Sequence, residues 1–179
     1  MFEGWSDFYV MIGGAAAALI GLLFIVATLS ADKDIENPLR GYSVYATPTV
    51  FHLAVVLIIS AMAVAPHLPR LIVAIIAAGC GIIGLIYSGW VTRQFISEDP
   101  PPGFVAADLW LYGVLPITMY LGFEIVAALV AVPMDVAPYL FALATIGLLL
   151  IAINNAWDLA SWLSHPTKKI ASRGQRRGK

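Results

Sequence analysis

The chain has 179 residues, 60% of them hydrophobic and only 12% charged, with a mean hydropathy of +0.87 and a net charge of −1. A soluble domain carries about 25% charged residues, so no separate soluble domain fits, and no nucleic-acid partner is expected. The single Cys80 rules out an intrachain disulfide and a cysteine metal cluster within one chain.

A stretch of about 20 apolar residues spans the hydrocarbon core of a bilayer. Five stretches qualify, at Phe8 to Leu29, Pro48 to Ala65, Leu71 to Val91, Leu109 to Val132 and Tyr139 to Leu163. The first three contain no Asp, Glu, Lys or Arg, the fourth only Glu124 and the fifth only Asp158. Residues 1–165 therefore read as one transmembrane domain and residues 166–179 as a basic tail. The expected fold is all-α, a bundle of five transmembrane helices.

The chain opens on Glu3 and Asp7 rather than on the basic region of a secretory signal. Phe2 and Trp5 are expected to lie flat on the outer surface. In the first span Gly13, Ala17 and Gly21 recur at four-residue spacing. Small residues so placed let helix backbones approach closely, either within the chain or at a seam between copies. The next loop carries Lys33, Arg40 and the turn signal Asn37-Pro38. Thr47 followed by Pro48 predicts a helix cap and first helical position.

The second span carries His52 in its first turn and ends at Pro66. His67, Leu68 and Pro69 predict a tight turn, since proline disfavours helix in the residue before it. The second and third spans are then an antiparallel hairpin. The third span repeats the small-residue device with Ala77, Gly81, Gly84 and Ser88, and Cys80 beside them reads as a small apolar group. Pro100, Pro101 and Pro102 predict a stiff extended connection. Pro116 removes a backbone hydrogen bond inside the fourth span and is expected to bend it. Pro133 and Pro138 bracket the last short turn.

Ionisable groups in a span cost about 3 kcal/mol and default to a functional hypothesis. Glu124 lies eight residues from the outer end of the fourth span, roughly 12 Å deep. A carboxyl there is expected to be neutral or paired, with Arg70 the one base on that side. Asp158 lies roughly 9 Å from the other end of the fifth span. Asn154 and Ser161 share its helical face, at minus four and plus three, and Asn155 lies at minus three. His52, Asp108, Asn154, Asn155 and Asp158 form a candidate polar cluster at one level, with Tyr87, Trp90 and Arg93 nearby. A His beside a carboxylate titrates near neutral pH. The other reading is a polar seam between packed helices.

Lys and Arg favour cytoplasmic loops. Placing the tail of Lys168, Lys169, Arg173, Arg176, Arg177 and Lys179 in the cytoplasm puts nine of the ten positive residues there and only Arg70 outside. The N-terminus is then outside and the C-terminus cytoplasmic. Trp90, Trp110, Trp157 and Trp162 fall at the cytoplasmic level, and Trp5, Tyr9 and Tyr139 at the outer one. The tail reads as an anionic-lipid contact. No phosphate loop, His-Glu-x-x-His or Gly-x-Ser-x-Gly motif is present. Neither a metal site nor a cofactor is expected, and a His52–His165 haem pair is weakly supported.

Trp5, Phe8-Tyr9, the run Gly13-Gly14-Ala15-Ala16-Ala17-Ala18-Leu19-Ile20-Gly21-Leu22-Leu23-Phe24 and Asn155-Ala156-Trp157-Asp158 resemble a group of short bacterial multi-spanning membrane proteins without an assigned activity. The resemblance implies a bacterial inner-membrane protein. It carries over no catalytic residue and no substrate. Two function classes follow from the residues. One is a non-enzymatic assembly, accessory or regulatory component that packs on itself or on a larger membrane complex. The other is a small proton- or cation-linked channel or transporter that uses the intramembrane carboxylates, with Pro116 as a candidate hinge.

Overall fold

The computed structural model describes residues 2–29, 46–97, 106–129 and 136–164, with the side chains of residue 106 and of 162–164 left aside. The Lys33–Arg40 loop, Pro100 to Pro102, Pro133, the Trp162 ring, His165 and the tail with Lys168, Lys169, Arg173, Arg176 and Arg177 lie outside the described residues or side chains.

Without water, a backbone crossing lipid must satisfy its own polar groups, and an apolar helix does so within one segment. Among the described residues the helices are α1 (Ser6–Leu29), α2 (Thr47–Val64), α3 (Arg70–Phe95), α4 and α5 (Ala137–Ser164). The fourth, α4, begins as Ala106–Asp108, passes through a π-helical stretch at Leu109–Val114, and continues as Leu115–Leu129. All five are long and apolar enough to span a membrane. With 26 residues, α3 is roughly 39 Å long at 1.5 Å per residue, longer than the ~30 Å hydrocarbon core.

Thr47 is the first residue of α2 rather than its cap. Ala46 stands at the cap without a side-chain hydrogen bond, and Pro48 sits inside the first turn. A first-turn N–H has no partner within the helix, so proline is tolerated there. At the other end Ala65 turns extended (φ −61°, ψ 128°) and His67 adopts φ 55°. This is the left-handed region, where His is among the better-tolerated non-glycine residues. Pro69 then caps α3.

The helices pack chiefly as α1 on α2 and α3 on α4, with α5 bridging α4 and α2. The tight turn joins α2 to α3, but the two helices touch each other little. The expected hairpin therefore exists as a connection and not as a packed pair. The buried interior holds Tyr9, Leu53, Val56, Ile59, Ala77, Tyr120, Phe123, Phe141 and Leu148. Outward faces carry exposed Leu22, Ile25, Ile75, Ile83, Ile86, Leu143 and Leu150. Apolar residues on both the inner and the outer faces suit a lipid solvent, where apolar burial does not by itself drive helices together.

Phe2 and Trp5 do not lie flat. The Trp5 N–H donates to the Phe2 carbonyl at 3.0 Å, Gly4 turns the chain at φ +80°, and both rings fold back on the bundle. Phe2 meets Tyr9 and Phe141 (ring centroids 5.4 Å each), and Trp5 meets Tyr139 at 5.0 Å. Together with Phe123, which contacts Phe141 at 5.4 Å, they fill one end of the bundle with aromatic rings. At the opposite end Trp90, Trp110 and Trp157 are exposed. Amphipathic rings settle at such interfaces.

The distortion expected of Pro116 takes a specific form. The π-helical stretch ends at Val114, two residues before it, and the Leu115 N–H bonds the Trp110 carbonyl five residues back. The wider turn accommodates a residue that cannot donate and whose ring clashes with the carbonyl four residues earlier.

Candidate functional site

The polar side chains of the spans gather where α3, α4, α5 and α2 meet. The foundation is the inner face of α3, where Ala77, Gly81, Gly84 and Ser88 are all buried. Without a side chain at Gly81 and Gly84, α4 lays polar groups directly on the α3 backbone. The Glu124 carboxyl lies over Gly81 and the Tyr120 ring over Gly84, each so near that a methyl group there would collide with it. One further step down, a side chain at Gly113 in the π-helical stretch would meet Thr92 Oγ1 at 2.6 Å. The Thr92 hydroxyl in turn donates to the Ser88 carbonyl at 2.7 Å.

Tyr120 is fully buried, and its hydroxyl lies 2.7 Å from His52 Nδ1. The bond forms either with the phenol donating to a bare Nδ1 or with an Nδ1–H donating to the phenol oxygen. The rings of Phe51 and Phe123 stand 6.3 and 6.2 Å from that of Tyr120. Phe51 also meets Tyr87 at 4.6 Å. His52 is thus seated in an aromatic box, 1% exposed, and its Nε2 has no hydrogen-bond partner among the described residues. No carboxylate hydrogen-bonds it there, so the expected His–acid pairing is replaced by His–Tyr. The physical reason is depth: Asp108 stands twelve residues before Tyr120 along α4, roughly 18 Å.

The two adjacent asparagines of α5 part company. Asn155 points inward and is completely buried, and its backbone carbonyl accepts a long 3.4 Å hydrogen bond from Tyr112 Oη. Neither its amide nitrogen nor its amide oxygen has a partner among the described residues. Asn154 points outward, and its Nδ2 donates to Asp158 Oδ2 at 3.1 Å, both residues exposed. Asp108, half-buried, repels Asp158 electrostatically, which places the two carboxyls at the same end. The expected five-member cluster therefore separates into a buried His52 site, a buried Asn155 and a peripheral Asn154–Asp158–Asp108 group.

Glu124 is half-buried, with Oε1 fully enclosed and unpartnered among the described residues. It forms no ion pair with Arg70 there. Arg70 begins α3 and is exposed, whereas Glu124 meets the helix at Gly81, eleven residues further on. That separation is roughly 16 Å, beyond the reach of an arginine side chain.

The helix-packing residues also divide. Gly13 is buried against Ser60 of α2, where a methyl group would stand 2.8 Å from Ser60 Cβ. Ala17 and Gly21 are exposed, and nothing lies within 4 Å of a side chain built at Gly21. Tyr120 and Tyr112 are the site residues that sequence reasoning missed. A signal for Tyr120 was present, because it precedes Glu124 by four residues and so shares its face. No group of three or more His, Cys, Asp or Glu able to hold a metal occurs among the described residues. The chain matches no family model, no curated protein and no solved structure.

Proposed function

We propose that the protein is a non-enzymatic, multi-pass component of the bacterial inner membrane that docks sideways on a larger membrane complex or on a second copy. Its N-terminus lies outside and its C-terminus in the cytoplasm. The basic tail through Lys168, Lys169, Arg173, Arg176 and Arg177 contacts anionic lipid. The charge distribution of the sequence supports this orientation.

One observation carries the docking reading: the exposed Asn154–Asp158 pair on the wall of α5, beside Trp157, which is 72% exposed. Asp158 stands six residues before the end of α5, roughly 9 Å along the helix. A polar pair turned toward lipid at that depth is costly unless another helix or headgroups meet it. Transport through the bundle is the weaker reading, because Phe2, Tyr9, Phe123 and Phe141 fill the outer end next to Glu124.

Purification from native membrane in polymer-bounded lipid discs, followed by mass spectrometry, tests the proposal. The wild type is expected to carry companion subunits or a second copy. Asn154→Leu combined with Asp158→Leu is expected to release them while the chain stays folded. A solitary monomer from native membrane, or companions retained by the double variant, refutes the docking role.

A further inference from the structure

We infer that a file of water threads the seam between α3, α4 and α5, running from the Glu124 carboxyl to the end of the bundle that bears Asp108 and Asp158. It is hydrogen-bonded on the way to His52, Tyr87, Ser88 and Asn155. This goes beyond the docking role and does not depend on it.

The argument starts from unpaired polar atoms. Eight buried side-chain atoms have no hydrogen-bond partner among the described residues, and six of them belong to this seam: Glu124 Oε1, His52 Nε2, Tyr87 Oη, Ser88 Oγ and both ends of the Asn155 amide. Leaving such a group bare in a low-dielectric interior costs about 1–3 kcal/mol, and buried polar groups are almost always paired with protein or ordered water. Local rearrangement does not remove the deficit at Asn155 or His52. Both ends of the Asn155 amide are unpaired, so flipping it exchanges one orphan for another. His52 already spends one nitrogen on Tyr120, and either tautomer leaves the second nitrogen bare.

The residues that carry these atoms also follow one another along the seam. Glu124 and Tyr120 are one turn apart on α4, and the glycines they cover, Gly81 and Gly84, lead one turn on to Ser88. From Ser88 the contacts continue through Thr92 to Gly113, and from the adjacent Tyr112 to Asn155. Asp158 lies three residues further along α5, on its exposed side. Along one helix each step is three or four residues, roughly 4.5–6 Å, comparable to two hydrogen bonds of about 2.8 Å through one bridging oxygen. Water bridging two protein groups is nearly as favourable as a direct bond, and a buried water takes two to four polar partners. The file ends at Glu124, since Phe123, Phe141 and Val126 beyond it are apolar and fully buried.

Hydroxyl-radical footprinting by brief X-ray pulses on the intact protein in lipid nanodiscs in ¹⁸O-water tests the inference, because radicals made from an internal water modify the side chain beside it. After correction for intrinsic reactivity, Tyr120 and His52 are expected to take up label several-fold faster than Phe123 and Phe141, which are equally enclosed. Ser88→Ala, chosen because it barely changes volume, is expected to lower the labelling of Tyr120 several-fold and leave that of Phe141 unchanged. Labelling of Tyr120 and His52 at the Phe123 rate overturns the inference. So does labelling of Tyr87 without Tyr120, since the water would then stop short of Glu124.

Discussion

Gly84→Ala adds a single methyl group at the point where α3 and α4 touch, and the structure predicts a loss of stability far larger than that change suggests. The new Cβ would overlap three carbons of the Tyr120 ring. The ring has nowhere to go: it is 0% exposed, bonded to His52 at 2.7 Å and flanked by Phe51 and Phe123. Overpacking of this kind costs about 1–3 kcal/mol. If the ring swings away instead, His52 is left with both nitrogens bare, at about 1–3 kcal/mol. Alanine's better helix propensity returns at most about 1 kcal/mol. The net loss is about 1–2 kcal/mol, roughly a 5- to 30-fold fall in the folded-to-unfolded ratio. Steric-trap unfolding in lipid bicelles measures it, with Gly79→Ala and Gly89→Ala as controls, because side chains built at those positions meet nothing within 4 Å. The controls are expected to match wild type or to gain up to about 1 kcal/mol from the better helix propensity of alanine. Combining Gly84→Ala with Tyr120→Leu identifies the cause, since removing the ring removes the collision. Equal stability of Gly84→Ala and Gly79→Ala refutes the reasoning.

Two further outcomes follow from the same contacts. Tyr120→Phe keeps the ring but strips His52 Nδ1 of its 2.7 Å partner, so it is expected to cost about 1–3 kcal/mol, whereas Tyr120→Phe with His52→Leu costs less than the two single changes added together; an additive cycle in the same unfolding assay would show that the bond contributes nothing. On α1, Gly13→Ala is expected to destabilise by about 1–3 kcal/mol because its methyl group meets Ser60 Cβ, an atom fixed to the α2 backbone, at 2.8 Å. Gly21→Ala, which meets nothing within 4 Å, is expected to leave stability unchanged or raise it by up to about 1 kcal/mol, and equal effects at the two positions would contradict the rotational setting of α1.

The positions of the spans were legible because apolar run length is a direct readout of bilayer thickness. Phe8 to Leu29 became Ser6–Leu29, and Pro48 to Ala65 became Thr47–Val64. The largest misjudged end was that of α3, which runs past Val91 to Phe95. Hydropathy stops at the polar Thr92, Arg93 and Gln94, but backbone hydrogen bonding continues into the interface. The identity of the intramembrane polar residues was equally legible, since each stands out against an apolar background. Their partners were not. Pairing depends on the rotation and height of one helix against another, and residues from four helices meet here with sequence separations such as the 68 positions between His52 and Tyr120.

The small-residue stripes show why rotation decided so much. On a helix each residue turns the face by about 100°. Gly13, Ala17 and Gly21 advance by four residues twice, so the stripe drifts about 80° over two steps. Gly13 therefore meets α2 while Gly21 faces outward. On α3 the spacing from Ala77 through Gly81 and Gly84 to Ser88 runs four, three, four, and the drift is only about 20°, so all four stay buried. Two stripes that look alike in composition thus have different fates. The alternating one becomes the floor on which α4 lays Glu124 and Tyr120, and the uniform one leaves its far end on the outer wall of the bundle. The close approach that glycine permits on α3 is also what draws a carboxyl, a phenol and an imidazole into the interior together. The polar seam is therefore a consequence of helix periodicity as much as of the polar residues themselves.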